Sequence, residues 1–300
     1  MEDISDLRLE DVVINSTLRP FEPATMFEFE RTYQAEEGIF WFRVNWQVSV
    51  VMSAVYVALV FAGRWYMDSR KPFDLRLPLA VWSAGLAAFS WVGMARSVAG
   101  THDVIRTAGW QASVCDPIVY KGVTGFWLWI FTFSKLPELG DTVFIVLRKQ
   151  NLMFLHWYHH ITVLMYAWYS FGQIVSPARY FAVMNYTVHS LMYSYYAIRA
   201  SRLVRIPSWI GVLITSLQIT QMVVGCALNG YAYSLRKSGG TCATNDTNLR
   251  ISFLMYSTYL LLFVNFFYER YMAKPHAGAG EGKARVKTSR VEKLQEKKGL

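Results

Sequence analysis

Seven stretches of about twenty mostly apolar residues, parted by short polar or charged breaks, set the rhythm of the chain. They lie at 46–65, 77–98, 125–147, 152–171, 179–198, 207–233 and 251–272. At about 1.5 Å per helical residue, some twenty residues cross a hydrocarbon core. The pattern predicts an all-α polytopic membrane protein with seven transmembrane helices. It divides the chain into an acidic N-terminal segment (1–44), a seven-helix domain (45–272) and a basic tail (273–300) predicted to be disordered.

Composition agrees. Only 17% of residues are charged, against about 25% in a soluble domain. The net charge of +9 raises the question of nucleic acid, but eight of the basic residues fall in the tail and no nucleic-acid motif accompanies them. The charges fit membrane flanks better. Arg64, Arg70, Lys71 and Arg76 lie between the first two spans. Arg148 and Lys149 follow the third, and Arg199, Arg202 and Arg205 follow the fifth. With seven spans, these segments and the tail all fall on one face. That face is predicted to be cytosolic, with the N-terminus lumenal. The acidic N-terminus lacks the basic and apolar regions of a secretory signal.

On the opposite face the pattern places Cys115 and Cys242 in two lumenal loops, as a candidate disulfide. Cys226 falls inside the sixth span. Asn15-Ser-Thr17 and Asn245-Asp-Thr247 are candidate glycosylation sequons on that face.

Polar residues inside apolar spans are costly and mark function. His156, His159 and His160 share one face of the fourth span by their i, i+3, i+4 spacing. The third span holds Lys135, Glu138, Asp141 and Thr142; the fifth holds Asn185, His189, Tyr193 and Tyr196; the sixth holds Thr215, Gln218 and Gln221. Counting about 1.5 Å per residue from the cytosolic ends, all four sets fall roughly 8–21 Å deep. They can therefore share one slab and satisfy one another. Alternatives remain open at this point: an intramembrane Lys135–Glu138 pair, glutamines as interhelical glue, tyrosines as interface anchors. Four histidines can serve as ligands of a mononuclear metal site. They can equally serve metal-free acyl transfer, since a neutral imidazole accepts an acyl group and a second one carries its proton. A lipid transporter with a polar midplane site is the rival outside enzymology; no clear internal repeat supports it.

At these residues the chain resembles the ELO family of fatty acid elongases. Lys135-x-x-Glu138-x-x-Asp141-Thr142, His156-x-x-His159-His160, His189-x-x-Met192-Tyr193-x-Tyr195-Tyr196 and Thr215-x-x-Gln218-x-x-Gln221 match four family boxes, in order and each within a span. The phrase from Arg148 to His160 resembles the subgroup extending saturated and monounsaturated long chains; a polyunsaturated-acyl-CoA elongase is the alternative. The resemblance implies six helices in a barrel around an acyl tunnel. It implies condensation of acyl-CoA with malonyl-CoA to a 3-ketoacyl-CoA, without metal or further cofactor. His159 would be the nucleophile and His189 would assist, with His156 and His160 orienting. Arg148, Lys149 and Arg202 are the candidates for CoA phosphates. The implied setting is the endoplasmic-reticulum membrane, with the reductases and dehydratase of the cycle as partners and a homo-oligomer left open. The terminal Lys297 and Lys298 resemble a dilysine retrieval signal for that compartment.

Overall fold

The computed structural model describes residues 8–273. Lys297, Lys298 and nearly all of the basic tail lie outside them. The chain divides into two compact units, Met1–Val264 and Asn265–Leu300. Among the described residues every regular element is helical: α1 (Glu28–Arg31), α2 (Ala35–Asn45), α3 (Val48–Asp68), α4 (Arg76–Cys115), α5 (Gly122–Ser134), α6 (Gly140–Leu147), α7 (Phe154–Gly172), α8 (Ala178–Ser201), α9 (Trp209–Lys237) and α10 (Asp246–Phe267), with short 3-10 turns between some of them. In the second unit a π turn, Tyr268–Met272, ends the description.

Four helices, α3, α4, α9 and the one from Asp246 to Met272, are long and apolar enough to cross a membrane unaided. The others fall short for a reason that matters. The apolar run at 125–147 reads as one continuous span, but the structure breaks it into α5 and α6. Pro137 lacks an amide hydrogen and its ring collides with the carbonyl four residues back. The chain answers with a 3-10 turn at Pro137–Leu139, which displays Lys135, Glu138 and Asp141 at the break. Irregular backbone at membrane depth is tolerated only where protein or a cavity covers it. α7 and α8 carry the histidines and tyrosines, which lower their apolarity.

Two other expectations change. The loop expected at 99–120 is mostly helix, because Thr101 to Ala108 continue α4, with Thr101 and Val104 buried. Gly109 then turns the chain with φ +84°, a conformation glycine alone adopts freely. The segment 1–44, expected as a polar lead-in, is largely packed. Ile39 and Phe42 of α2 are fully buried against Leu164, Trp168 and Phe171, and Arg43 Nε donates to Gly172 O at 3.0 Å. Glu30 is buried as well. It accepts from Trp127 Nε1 at 2.7 Å and pairs with Arg96 at 3.2 Å, which stitches the N-terminal segment to α4 and α5.

α4 and α8 form the most extensive helix pair. Small buried residues of α4 face it in a near-continuous seam: Ala80, Ser83, Ala87, Ser90, Gly93 and Ser97. Membrane helices approach closely over such residues, because lipid offers no hydrophobic drive for bulkier contacts. At Gly93 a β-carbon would lie 2.4 Å from the Tyr186 ring.

At one end of the bundle the connections are knitted by backbone. Cys115 and Cys242 are joined in a disulfide with Cα atoms 4.3 Å apart. Beside it Ala243 N donates to Cys115 O and Ser176 N donates to Ala243 O. Tyr120 Oη receives Val175 N at 2.8 Å. At the other end, Phe73 N donates to Leu147 O and the Lys149 ammonium donates to the carbonyls of Asp68 and Arg70.

Candidate functional site

The break between α5 and α6 gathers the polar residues. Lys135 Nζ is buried over the Phe131 ring and donates to Glu138 Oε1 at 2.7 Å and to Asn185 Oδ1 at 2.9 Å. Ser134 Oγ adds a second donor to Glu138 Oε1. Asn185 Nδ2 in turn lies 3.1 Å from His189 Nε2. An amide nitrogen only donates, so Nε2 accepts and the proton of the neutral ring sits on Nδ1. That nitrogen faces Glu138 Oε1 at 3.8 Å. The set Lys135, Glu138, Asn185 and His189 thus forms one continuous array that joins the α5–α6 break to α8.

Asp141 and Thr142 point elsewhere. Asp141 Oδ1 accepts from Trp82 Nε1 and Oδ2 from Tyr193 Oη, both at 2.7 Å. This ties α6 to α4 and α8. Thr142 Oγ1 lies 2.9 Å from His156 Nε2 and 2.6 Å from Tyr56 Oη. Tyr56 is central in α3, far from the interface belts where tyrosines gather, and that position was its available signal in sequence. His156 and His160 have ring centroids 4.5 Å apart, and His159 and His160 5.5 Å.

His159 faces a narrow cavity of about 60 Å³. Asn185, Gln221 and Tyr259 surround its polar end, and the rest is apolar and aromatic. On α7 the lining residues are His159, Val163, Tyr166, Ala167, Ser170 and Phe171, a single helical face. The far end is bounded by Tyr120, Phe171 and Phe181. Tyr259 of α10 packs against the His159 ring with centroids 5.0 Å apart and hydrogen-bonds Thr162. Its run of residues 251–272 holds three further tyrosines, Tyr256, Tyr268 and Tyr271, and nothing in their spacing distinguishes Tyr259 from them.

Not every candidate joins the site. Gln221 reaches the cavity, whereas Gln218 Nε2 contacts the Met192 sulfur at 3.5 Å. Tyr196 stacks near Tyr193 and Tyr195 and is partly exposed. Lys149, a candidate for CoA phosphates, is occupied capping the carbonyls at the end of α3. Arg148 is half-buried, and Arg202, in a left-handed turn, is exposed. Asn15 is exposed. Asn245 caps α10, its Oδ1 accepting from Asn248 N at 2.8 Å. Among the described residues no three His, Cys, Asp or Glu side chains converge as a metal ion would need.

A broken helix with a polar array at the break, set among long apolar helices, defines a multi-pass membrane protein, with a histidine in the wall of a largely apolar cavity. Comparison with known proteins narrows this. The ELO: GNS1/SUR4 family matches residues 41–279. The chain is 47% identical over 252 residues to "Very long chain fatty acid elongase 6" of Drosophila melanogaster, covering 83% of this chain and 79% of that one. It is 47% identical over 249 residues to the human protein of the same name, covering 83% and 93%. It is 43% identical over 253 residues to "Putative fatty acid elongase 3" of Caenorhabditis elegans, covering 82% and 77%. The chain belongs to the ELO family, the family of these fatty acid elongases.

Proposed function

We propose that the protein elongates long-chain saturated and monounsaturated acyl-CoA by condensing it with malonyl-CoA, with His159 as the acyl acceptor. The observation that carries this is the place of His159: its imidazole lies in the wall of the apolar cavity, beside its polar end. From His159 to Phe171 the cavity follows α7 for twelve residues, about 18 Å. An extended chain advances about 1.25 Å per carbon, given a C–C bond of ~1.52 Å and angles near 111°. The cavity therefore suits about 14 carbons beyond a carbonyl held at His159, close to a palmitoyl chain.

In the first half reaction a nitrogen lone pair of His159 attacks the thioester carbonyl. The C–S bond breaks, and the imidazole proton passes to the CoA sulfur, leaving an acyl-imidazole and free CoA. In the second, malonyl-CoA loses carbon dioxide, and its α-carbon attacks the acyl carbonyl. The C–N bond breaks and the electron pair returns to His159, which regains a proton. The product is a 3-ketoacyl-CoA two carbons longer. His189, whose Nδ1 proton faces Glu138 and whose Nε2 accepts from Asn185, assists by holding Asn185 at the cavity, where the second N–H of that amide is the group to stabilise charge on the reacting oxygen. His156, held by Thr142 and Tyr56, orients the cluster through His160. Arg148 and Arg202 are the basic groups for CoA phosphates. The charge pattern supports an endoplasmic-reticulum protein with seven crossings, a lumenal N-terminus and a cytosolic tail. A 3-ketoacyl-CoA product calls for a ketoacyl reductase, a dehydratase and an enoyl reductase downstream.

The test is microsomal condensation with labelled malonyl-CoA and acyl-CoAs from myristoyl to arachidonoyl. Activity should peak near palmitoyl. His159→Ala should lower it about 10²–10⁴-fold, the usual scale for a removed catalytic imidazole. Full activity in His159→Ala would overturn the assignment.

A further inference from the structure

Arg179, the second residue of α8, has no place in the reaction described above, yet it is among the most completely buried groups of the chain. It is 2% exposed, and none of its three guanidinium nitrogens has a hydrogen-bond partner. Among the described residues no carboxylate lies within ion-pairing distance of it. Asp116, the carboxylate whose charge acts on Arg179, lies beyond ion-pairing distance, and its Oδ1 accepts from Ser16 Oγ and Ile118 N. Arg179 also sits in the first turn of a 24-residue helix, where the backbone dipole already places positive charge. Two positive contributions therefore coincide in a site without solvent. A buried cation demands an opposite charge, because neutral partners do not offset the loss of hydration.

The surroundings supply further unused donors. Ser176 N is bonded to Ala243 O, so the turn before α8 and the loop before α10 lie edge to edge beside the Cys115–Cys242 disulfide. From these two segments and the first turn of α10 come three donors, Ser176 Oγ, Thr244 Oγ1 and Asn248 Nδ2, all buried and all without partners. Native proteins rarely leave such groups unpaired. We propose that this end of the bundle holds a buried site for a small inorganic anion of chloride's size and charge. Arg179 is its central ligand, and Ser176, Thr244 and Asn248 are its neutral donors. The CoA phosphates do not reach it: α8 separates Arg179 from Arg202 by 23 residues, about 35 Å. The site would act as a counter-charge that fastens the α7–α8 turn to the α9–α10 loop, at the closed end of the cavity. It does not depend on the elongation reading.

Full-length protein purified in sodium chloride, then exchanged into sodium gluconate, gives the test. Halide released on denaturation is measured by ion chromatography, and the melting temperature is followed as bromide is added back at constant ionic strength. A tightly held ion appears as stoichiometric halide release. An exchangeable one appears as a saturable rise in melting temperature with bromide. Arg179→Gln should abolish both. Where that variant does not fold, Asn248→Ala should weaken the bromide response several-fold while leaving the wild-type measurement to stand alone. No halide released and no bromide response from the wild-type chain would overturn the proposal, as would an Arg179→Gln variant that responds like wild type.

Discussion

At the His159 end of the cavity the helices are joined by side chains; at the Tyr120 end they are joined by backbone. Around His159, the Lys135–Glu138–Asn185–His189 array, the Asp141 bonds to Trp82 and Tyr193, and the Tyr56–Thr142–His156 chain each cross between helices. Around Tyr120, the disulfide, the backbone bonds linking Cys115, Ala243 and Ser176, and the bond from Val175 N to the Tyr120 hydroxyl fix the connecting loops themselves. On the elongation proposed above, the difference follows from what each end would do. Groups that meet a polar thioester must be aimed, and side chains aim. An end wall that stops an acyl chain must only stay put, and backbone bonds with a covalent link hold it without exposing polar groups to the chain.

The contrast can be broken most severely at Lys135. Lys135→Met leaves Glu138 buried beside neutral neighbours, and losing one member of a buried pair costs about 3–5 kcal/mol. Thermal unfolding in detergent should show a large drop, and condensation should fall with it. Retained stability would mean the array is not what joins the α5–α6 break to α8. At the opposite end, Phe171→Ala removes a buried ring that touches Tyr120 and Phe42, a loss of about 3 kcal/mol. Its more telling effect is on products: the wall recedes, so the acyl-CoA optimum should move to longer chains by gas chromatography. Lys135→Met should leave that optimum where it is.

Tyr56→Phe is a finer probe. It deletes one hydroxyl bonded to Thr142, worth about 1 kcal/mol. The rate should fall modestly at unchanged chain-length preference, and an unchanged rate would remove Tyr56 from the positioning of His156. The smallest effect is expected outside both ends, in the exposed loop before α4. There the bonds from Arg76 hold the Asp74 carboxyl down at about pH 2. A depressed carboxylate contributes its stability above its unfolded value near 3.9, and that contribution fades as pH falls toward 2. Asp74→Asn should therefore melt slightly below wild type between pH 6 and 8, and the two should converge as pH falls toward 2.

The apolar runs at 152–171 and 179–198 foretold α7 and α8 within a few residues, because an uninterrupted apolar stretch in lipid has no alternative to helix. The grouping of Lys135, Glu138 and His189 was also readable, since polar groups at one membrane depth must find each other. Pro137 was visible too, but the run at 125–147 reads as one span. Proline in a membrane helix ends it or merely kinks it, and the neighbours decide which. Glu30 and Arg96 gave no sign of pairing, because they are 66 positions apart and each resembles an ordinary flank charge.

The pattern of residues alone determined that this chain is helical, that it threads a membrane, and which polar groups lie at a shared depth, since helical period and hydrophobic length are local properties. The tertiary structure decided the rest. It broke α5 from α6 at Pro137 and chose Asn185 as the link between Lys135 and His189. It set His159 rather than His160 into the cavity wall and left Arg179 buried without a partner. Those outcomes depend on side chains meeting across helices at distances of a few ångströms, where a shift of a single rotamer or a fraction of a helical turn exchanges one partner for another.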